Sequence, residues 1–373
     1  MADRHLRRPI SLVGVGLLAA IAFIFGLMTT CEGLPKNVAD CPITPTPPSN
    51  LTIVPAAQIP PPQALCPFPM TITSPANGVT VTSPTALTVV ANAPDPLYTM
   101  RVYVDGEPVL YSFASTVNQF LWMSNGQHTV EAVAEDVAGY ISTASLQVNV
   151  TGQTPGISNI QNLPGWTSCS AVIGAQQQNV CAAGLGNAVS TLTQAESSPS
   201  LDGSAAEFSL AGPSPYSNEL YWVPLGGGTN VSHFIYDLYF YVSEGNRPQA
   251  LEFDINQAFG NTRWTWGSEC DFNQTKKWNI WNPAGGVWVP TYVDCKDFPS
   301  NTWIHLIWTV ERVGNQVHYI NLNVAGTSYN IDTYYNAQPN WYQQEIDVAF
   351  QMDGNYAQQP YDVWLDEVTL NGY

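Results

Sequence analysis

The chain has 373 residues, 45% of them hydrophobic and only 11% charged, which is apolar enough for packed cores and too apolar for a disordered chain. Eleven Lys and Arg against 29 Asp and Glu leave a net charge of −18; this excludes a nucleic-acid-binding surface, because phosphate contacts need clustered cations. With 28 Gly, 29 Pro and 12% aromatic residues, the composition predicts an all-β protein of short strands and many turns.

At the N-terminus Arg4, His5, Arg7 and Arg8 precede an uncharged run from Pro9 to Thr30, the pattern of an export signal. The run is also long enough to cross a bilayer as a helix. It ends in Leu27-Met28-Thr29-Thr30-Cys31, which resembles a bacterial lipobox with Met in place of the usual Leu and Thr in place of Gly or Ala. That resemblance implies acylation of Cys31. Residues 1–31 are therefore expected to be a signal peptide or membrane anchor with three fates: lipidation at Cys31, retention with the basic end cytoplasmic, or cleavage and free secretion. Each fate exports the rest of the chain, and the first two tether it to the membrane through its N-terminus. Residues 32–67 contain ten prolines and read as an extended Pro-rich linker.

Cysteine usage agrees with export. Setting Cys31 aside leaves six, which allow fifteen connectivities. The sequence-neighbour pairing Cys41–Cys66, Cys169–Cys181 and Cys270–Cys295 keeps each loop inside one segment. No Cys-x-x-Cys is present, so zinc is not expected.

Residues 68–150 alternate apolar and polar side chains in Met70–Thr73, Val79–Thr82, Ala86–Ala91, Met100–Val104, His128–Ala134 and Ser145–Val150, the period of half-buried strands. Asp105-Gly106, Asn77-Gly78 and Asn125-Gly126 mark turns. The strings Ser74-Pro-Ala-Asn-Gly, Val102-Tyr-Val-Asp-Gly and Gly126-Gln-His-Thr-Val-Glu-Ala-Val-Ala-Glu-Asp-Val-Ala-Gly resemble a bacterial Ig-like domain. The resemblance implies a non-catalytic β-sandwich that acts as spacer or adhesion module. His128 falls in one of these strands, at a turn edge, and reads as a structural histidine.

Residues 154–373 hold eleven of the twelve Trp and about eleven strand-like runs, from Glu207–Leu210 to Tyr361–Leu370. No amphipathic helix is visible, which argues for a two-sheet jelly roll. The closing Asp362-Val-Trp-Leu-Asp-Glu-Val-Thr-Leu and Trp303-Ile-His-Leu-Ile-Trp-Thr-Val-Glu resemble strands of concanavalin A-like lectin/glucanase and laminin-G-like domains. The expected order is thus a signal or anchor helix, a Pro-rich linker, an Ig-like β-sandwich and a larger jelly-roll β-sandwich.

Alternation also assigns faces. Leu251, Phe253 and Ile255 oppose Glu252, Asp254 and Asn256; Ile346, Val348, Phe350 and Met352 oppose Glu345, Asp347, Gln351 and Asp353. Trp303 and His305 oppose Ile304, Leu306 and Trp308. Three such strands are expected to line one groove. Carboxylates and amides bond sugar hydroxyls while aromatic faces stack on pyranose rings, so Trp264, Trp266, Trp278, Trp281, Trp288, Trp303 and His305 are candidate glycan contacts. Glu252-Phe-Asp-Ile-Asn is similar to the Glu-x-Asp-x-Glu strand of laminarinase-type glycoside hydrolases, which implies Glu252 as nucleophile and Asp254 as its support. Asn256 stands where the family has its acid, and an amide cannot take that role. Either the activity is absent or another strand supplies the acid, with Glu345, Asp347 or Glu219 available.

Lectin-like jelly rolls often carry one structural calcium, for which Asp362, Asp366 and Asp202 are candidate ligands; no other cofactor is expected. The leading expectation is an exported cell-surface protein that binds a neutral carbohydrate. The alternatives are a glycan-cleaving hydrolase or lyase, and a structural or adhesion protein without a glycan ligand. Oligomeric state is not legible.

Overall fold

The computed structural model describes residues 67–153, 156–170, 188–295, 298–341 and 343–373. The expected export segment, residues 32–66 of the expected linker, Cys31, Cys41, Cys66 and Cys181 lie outside the described residues. The described chain is all-β, two sandwiches in sequence, with one short 3-10 turn at Ile160–Asn162.

The first sandwich comprises β1 (Met70–Ser74), β2 (Thr80–Ser83), β3 (Thr85–Ala91), β4 (Leu97–Val104), β5 (Glu107–Ser112), β6 (Thr116–Leu121), β7 (Gly126–Asp136) and β8 (Ile141–Gln153). A three-stranded sheet, β1-β3-β6, faces a five-stranded sheet, β2-β8-β7-β4-β5. Alternating residues such as Leu87, Val89, Val102, Val130, Ala132 and Val148 fill the core between them. Asp105 and Gly106 both take positive φ, 54° and 84°, as the tight turn joining β4 to β5 requires. His128 is buried and bonded on both ring nitrogens, to Asp105 Oδ2 at 2.7 Å and to the Ser124 carbonyl at 2.8 Å, so it is structural as expected.

Among the described residues the larger sandwich has fifteen strands. One sheet orders β10 (Val189–Glu196), β11 (Ala205–Ala211), β23 (Tyr361–Gly372), β13 (His233–Val242), β18 (Trp303–Val313), β19 (Gln316–Val324) and β20 (Thr327–Asn336). The other orders β17 (Val287–Asp294), β16 (Lys277–Asn282), β15 (Thr262–Asp271), β14 (Pro248–Phe259), β22 (Glu345–Gly354), β12 (Asn218–Pro224) and β9 (Thr167–Ser170), with β21 (Gln338–Pro339) beside β15. Strand β13 shows the underlying logic: Phe234, Tyr236, Leu238, Phe240 and Val242 are buried, while the intervening residues are half-exposed. These meet Phe253, Phe350, Trp278 and Trp308 in an aromatic core. Cys270 and Cys295 form the expected disulfide; closing a loop of that length stabilises by about 3.5 kcal/mol in the chain-entropy account. Cys169 is also disulfide-bonded.

The topology corrects one expectation. Strand β18, with Trp303 and His305, belongs to the seven-stranded sheet, whereas Glu252 and Glu345 lie in the other. The three strands cannot line one groove, because outward faces of opposed sheets point in opposite directions.

The two sandwiches share a built contact. Trp122, just after β6, is 1% exposed and belongs to the core of the larger sandwich. Its ring Nε1–H donates to the Leu225 carbonyl at 2.8 Å, its backbone N–H donates to Gly227 O at 3.0 Å, and Gly227 N–H donates to Phe120 O at 3.1 Å. Glycine is required there: a Cβ on Gly227 would stand 1.7 Å from the Val109 carbonyl oxygen. The Gly226-Gly-Gly run is thus the seat of this contact.

Candidate functional site

The outward face of the eight-stranded sheet carries the chemistry. Register aligns Trp222 on β12 with Ala349 on β22 and Ala349 with Asp254 on β14. Asp254 in turn pairs with Gly267 on β15. A Cβ on Gly267 would lie 2.9 Å from Trp281 Cβ and 3.1 Å from Trp288 Cη2, so the row continues through Trp281 on β16 to Trp288 on β17, which are cross-strand partners. Aromatic rings therefore end a row whose middle holds only alanine, aspartate and glycine. Side-chain size alone makes this a trough. Its walls at Trp222 and Trp281 stand four strand spacings, roughly 19 Å, apart. Trp222, Trp281 and Trp288 are half-buried, and the last two meet edge to face at 5.1 Å.

Carboxyl groups run along the trough on both sides of Asp254. Toward one end, Glu252 on β14 pairs with Glu269 on β15 and Gln351 on β22, and Asp353 follows on β22. One oxygen of each of Glu252, Glu269 and Asp353 lies within 4.8 Å of the other two. Amides hold this trio. Gln351 Nε2 donates to Glu252 at 2.7 Å and to Asp353 at 3.1 Å, and Asn279 Nδ2 donates to Glu269 at 2.6 Å. Glu252 and Asp353 also bond each other, and Asn218 bonds Asp353. Toward the other end, Asn256 Nδ2 donates to Asp347 at 2.8 Å, Glu345 follows on β22, and Arg263 stacks on Trp341 at 4.3 Å.

Crowded carboxyls in a half-closed face hold protons. Burial raises Glu252 well above the ordinary glutamate value, reinforced by Asp353 and Glu269. Burial pushes Asp254 up to about 7, against a bond from the Ser268 N–H and the charge of Arg263. It pushes Glu269 up to about 8, against its bond from Asn279, and Glu345 up to about 7, with Asp347 adding repulsion. Asp347 is also raised by burial, moderated by Arg263. Asp353 is raised to about 6, its bonds to Glu252, Asn218 and Gln351 limiting the effect of burial. At neutral pH the trough thus offers carboxylic acids as donors beside carboxylates as acceptors.

The candidate carboxyls Glu252, Asp254, Glu345 and Asp347 share this one face, in two groups separated along the strands. Of the candidate aromatic contacts, Trp281 and Trp288 line it. Trp264, Trp266 and Trp278 do not: they are 3%, 2% and 0% exposed and pack into the core, because on β15 and β16 they share a strand face with Cys270 and Ile280. Trp303 and His305 lie across the sandwich on the other sheet, where His305 stacks on Tyr239 at 4.1 Å and bonds Asp237 at 2.7 Å. Glu219 points with the core residues of β12 and is 3% exposed.

Of the candidate calcium ligands, Asp366 is fully buried and accepts from Ser200 Oγ at 2.7 Å, Leu201 N–H at 2.6 Å, Glu367 N–H at 2.9 Å and Gln161 Nε2 at 3.3 Å. Donors thus occupy both its oxygens. Asp202 is in the same loop and accepts from Ser204 N–H. Asp362 is separate, in β23 opposite Ser209 of β11.

Alternation along β22 places Asp353 on the expected groove face, whereas Glu269, Trp222 and Arg263 are site residues that the sequence reading does not single out. Glu269 was within reach of the alternation in Trp264-Thr-Trp-Gly-Ser-Glu, which sets it on the face opposite the buried tryptophans. Trp222 had no local signal, since its place opposite Ala349 depends on pairing between distant strands.

The family profile of the bacterial Ig domain matches residues 69–132, within the first sandwich. No curated protein matches the chain. Among solved structures, the chain is similar to a carbohydrate-binding module of the beta-sandwich superfamily, at 12% identity over 82% of this chain and 97% of that one, with TM-score 0.30. It is similar to the family 11 carbohydrate-binding module of Clostridium thermocellum, solved with a mixed-linked β-1,3-1,4 tetrasaccharide, at 13% identity over 58% and 94%, with TM-score 0.28. A third is the lectin UEA-II, solved with galactose, at 14% identity over 50% and 93%, with TM-score 0.30.

Proposed function

We propose that the trough on the eight-stranded sheet binds a neutral polysaccharide chain laid along the strands. The observation that carries this reading is the row Trp222–Ala349–Asp254–Gly267–Trp281–Trp288: small residues leave room for rings, and tryptophans at the margins offer faces for stacking. Protonated and ionised carboxyls along the floor match hydroxyls, which both donate and accept. The same carboxyls, with net charge −18, disfavour an anionic glycan. In this reading the chain is exported, the N-terminus tethers it to the membrane by Cys31 lipidation or an uncleaved helix, and the Pro-rich linker and Ig-like domain hold the trough away from that surface. Support for export is the basic, then apolar, N-terminal sequence.

The test is retention of the purified full chain on insoluble neutral and acidic polysaccharides. Trp281→Ala and Trp288→Ala should each lose retention, with unchanged melting. Full retention in both would overturn the reading.

A second reading, cleavage, is favoured by the approach of Glu252, Glu269 and Asp353 within 4.8 Å. Retaining glycosidases place an acid and a nucleophile about 5–5.5 Å apart, and here Glu269 would supply the proton that Asn256 cannot. New reducing or unsaturated ends that vanish in Glu252→Gln would establish it.

A further inference from the structure

We propose that Glu252, Glu269 and Asp353, with the side-chain oxygen of Asn218, form a calcium-class cation site at one end of the trough. Three carboxyls from three adjacent strands, β14, β15 and β22, bring one oxygen each within 4.8 Å of the others. Two oxygens bound on opposite sides of one calcium ion stand about 4.8 Å apart, twice a bond of roughly 2.4 Å. The three oxygens therefore lie within the span of one calcium coordination shell.

An independent observation points to a ligand at the same place. Asn218 is 6% exposed and its amide lies against Asp353, yet its Oδ1 is buried with no hydrogen-bond partner among the described residues. An orphaned buried carbonyl costs about 1–3 kcal/mol. Rotating the amide by half a turn exchanges its NH2 for that oxygen on the Asp353 side, where a cation would accept it as a fourth donor. The donor set is then all oxygen, three carboxylates and one amide, with waters from the open trough completing the six to eight positions that calcium takes. Hard oxygen donors without imidazole or thiolate exclude a zinc or copper preference.

Glu252 and Asp353 bond each other, and Gln351 Nε2 bridges both. Asn279 fixes Glu269 through its amide and leaves the other carboxyl oxygen of Glu269 to face a cation. This location differs from the Asp202–Asp366 loop, where Asp366 already accepts four hydrogen bonds. The cation site stands whether or not a glycan binds beside it. A bound ion would deny Glu269 the role of general acid and so weigh against cleavage.

The experiment is calorimetric titration of calcium chloride alone into the full chain after chelator treatment, with melting followed in parallel. One ion should bind, and the melting temperature should rise with its concentration. Glu269→Gln and Asp353→Asn should each weaken binding about tenfold or more, whereas Asp202→Asn should leave it unchanged. Glu252→Gln serves if either variant melts before the titration. Absence of binding at millimolar calcium, unchanged affinity in the trough variants, or loss confined to Asp202→Asn would each overturn the proposal.

Discussion

Trp122→Ala tests whether the two sandwiches unfold as one body. The substitution removes an indole that is 1% exposed, packs edge-on to Phe234 and donates to the Leu225 carbonyl at 2.8 Å. Emptying such a site costs about 3–5 kcal/mol, and leaving Leu225 O unpaired adds about 1 kcal/mol. Against a total stability of about 5–15 kcal/mol, a loss of about 4–6 kcal/mol is severe. For domains of this size each kcal/mol lowers the melting temperature by roughly 2 °C, so the transition should fall by about 8–12 °C. Scanning calorimetry of the full chain should give one transition in the parent and either a lower one or two in the variant. The effect should reach the trough, because Leu225 and Gly226 exchange backbone bonds with Ile346, next to Glu345. A parent chain that already melts in two transitions, or a variant that loses less than about 2 °C, would refute the reasoning.

Three further outcomes are expected. Gly227→Ala places a Cβ 1.7 Å from Val109 O; backbone cannot yield cheaply, so the loss should be about 3 kcal/mol or more, read by chemical denaturation, and a neutral result would deny the close approach. Asp366→Asn sets an NH2 group among four donors and should cost about 2–3 kcal/mol; an unchanged denaturation midpoint would argue that the loop around Ser200 is not held by this carboxylate. The raised acids of the trough keep protons that the unfolded chain releases near pH 4, so their stabilisation is complete below that pH and is lost as pH rises through about 6–8. In chelator the melting temperature should therefore fall between pH 5 and pH 8, and Glu269→Gln should flatten the slope; a rising or level profile in the parent would contradict it.

Local periodicity makes much of this protein legible from residue order alone. The two-residue alternation of Leu251–Asn256 and Glu345–Asp353 assigns core and outward residues correctly, because side-chain direction in a strand is set by the backbone within a few residues. The Asp105-Gly106 turn is legible for the same reason: both positions take φ values that few residue types adopt without cost. The three buried tryptophans mislead because their abundance outweighs their alternation. In Trp264-Thr-Trp-Gly-Ser-Glu-Cys the face shared with Cys270 is the core face, and Thr265, Gly267 and Glu269 are turned outward.

By itself the sequence determined the all-β class, an Ig-like segment ahead of a larger sandwich, and the polar faces of β14 and β22. Only the tertiary structure decided that β18 lies in the opposite sheet, that Trp222 and Trp281 bound the same trough, and that Glu269 meets Glu252 and Asp353. It also decided that Trp122 leaves the first sandwich to complete the core of the second. The physical reason is one of range. A strand's pattern says which side of it is apolar, but its neighbours are chosen by the fit of residues a hundred positions away, such as Asp254 against Ala349 and Trp122 against Leu225.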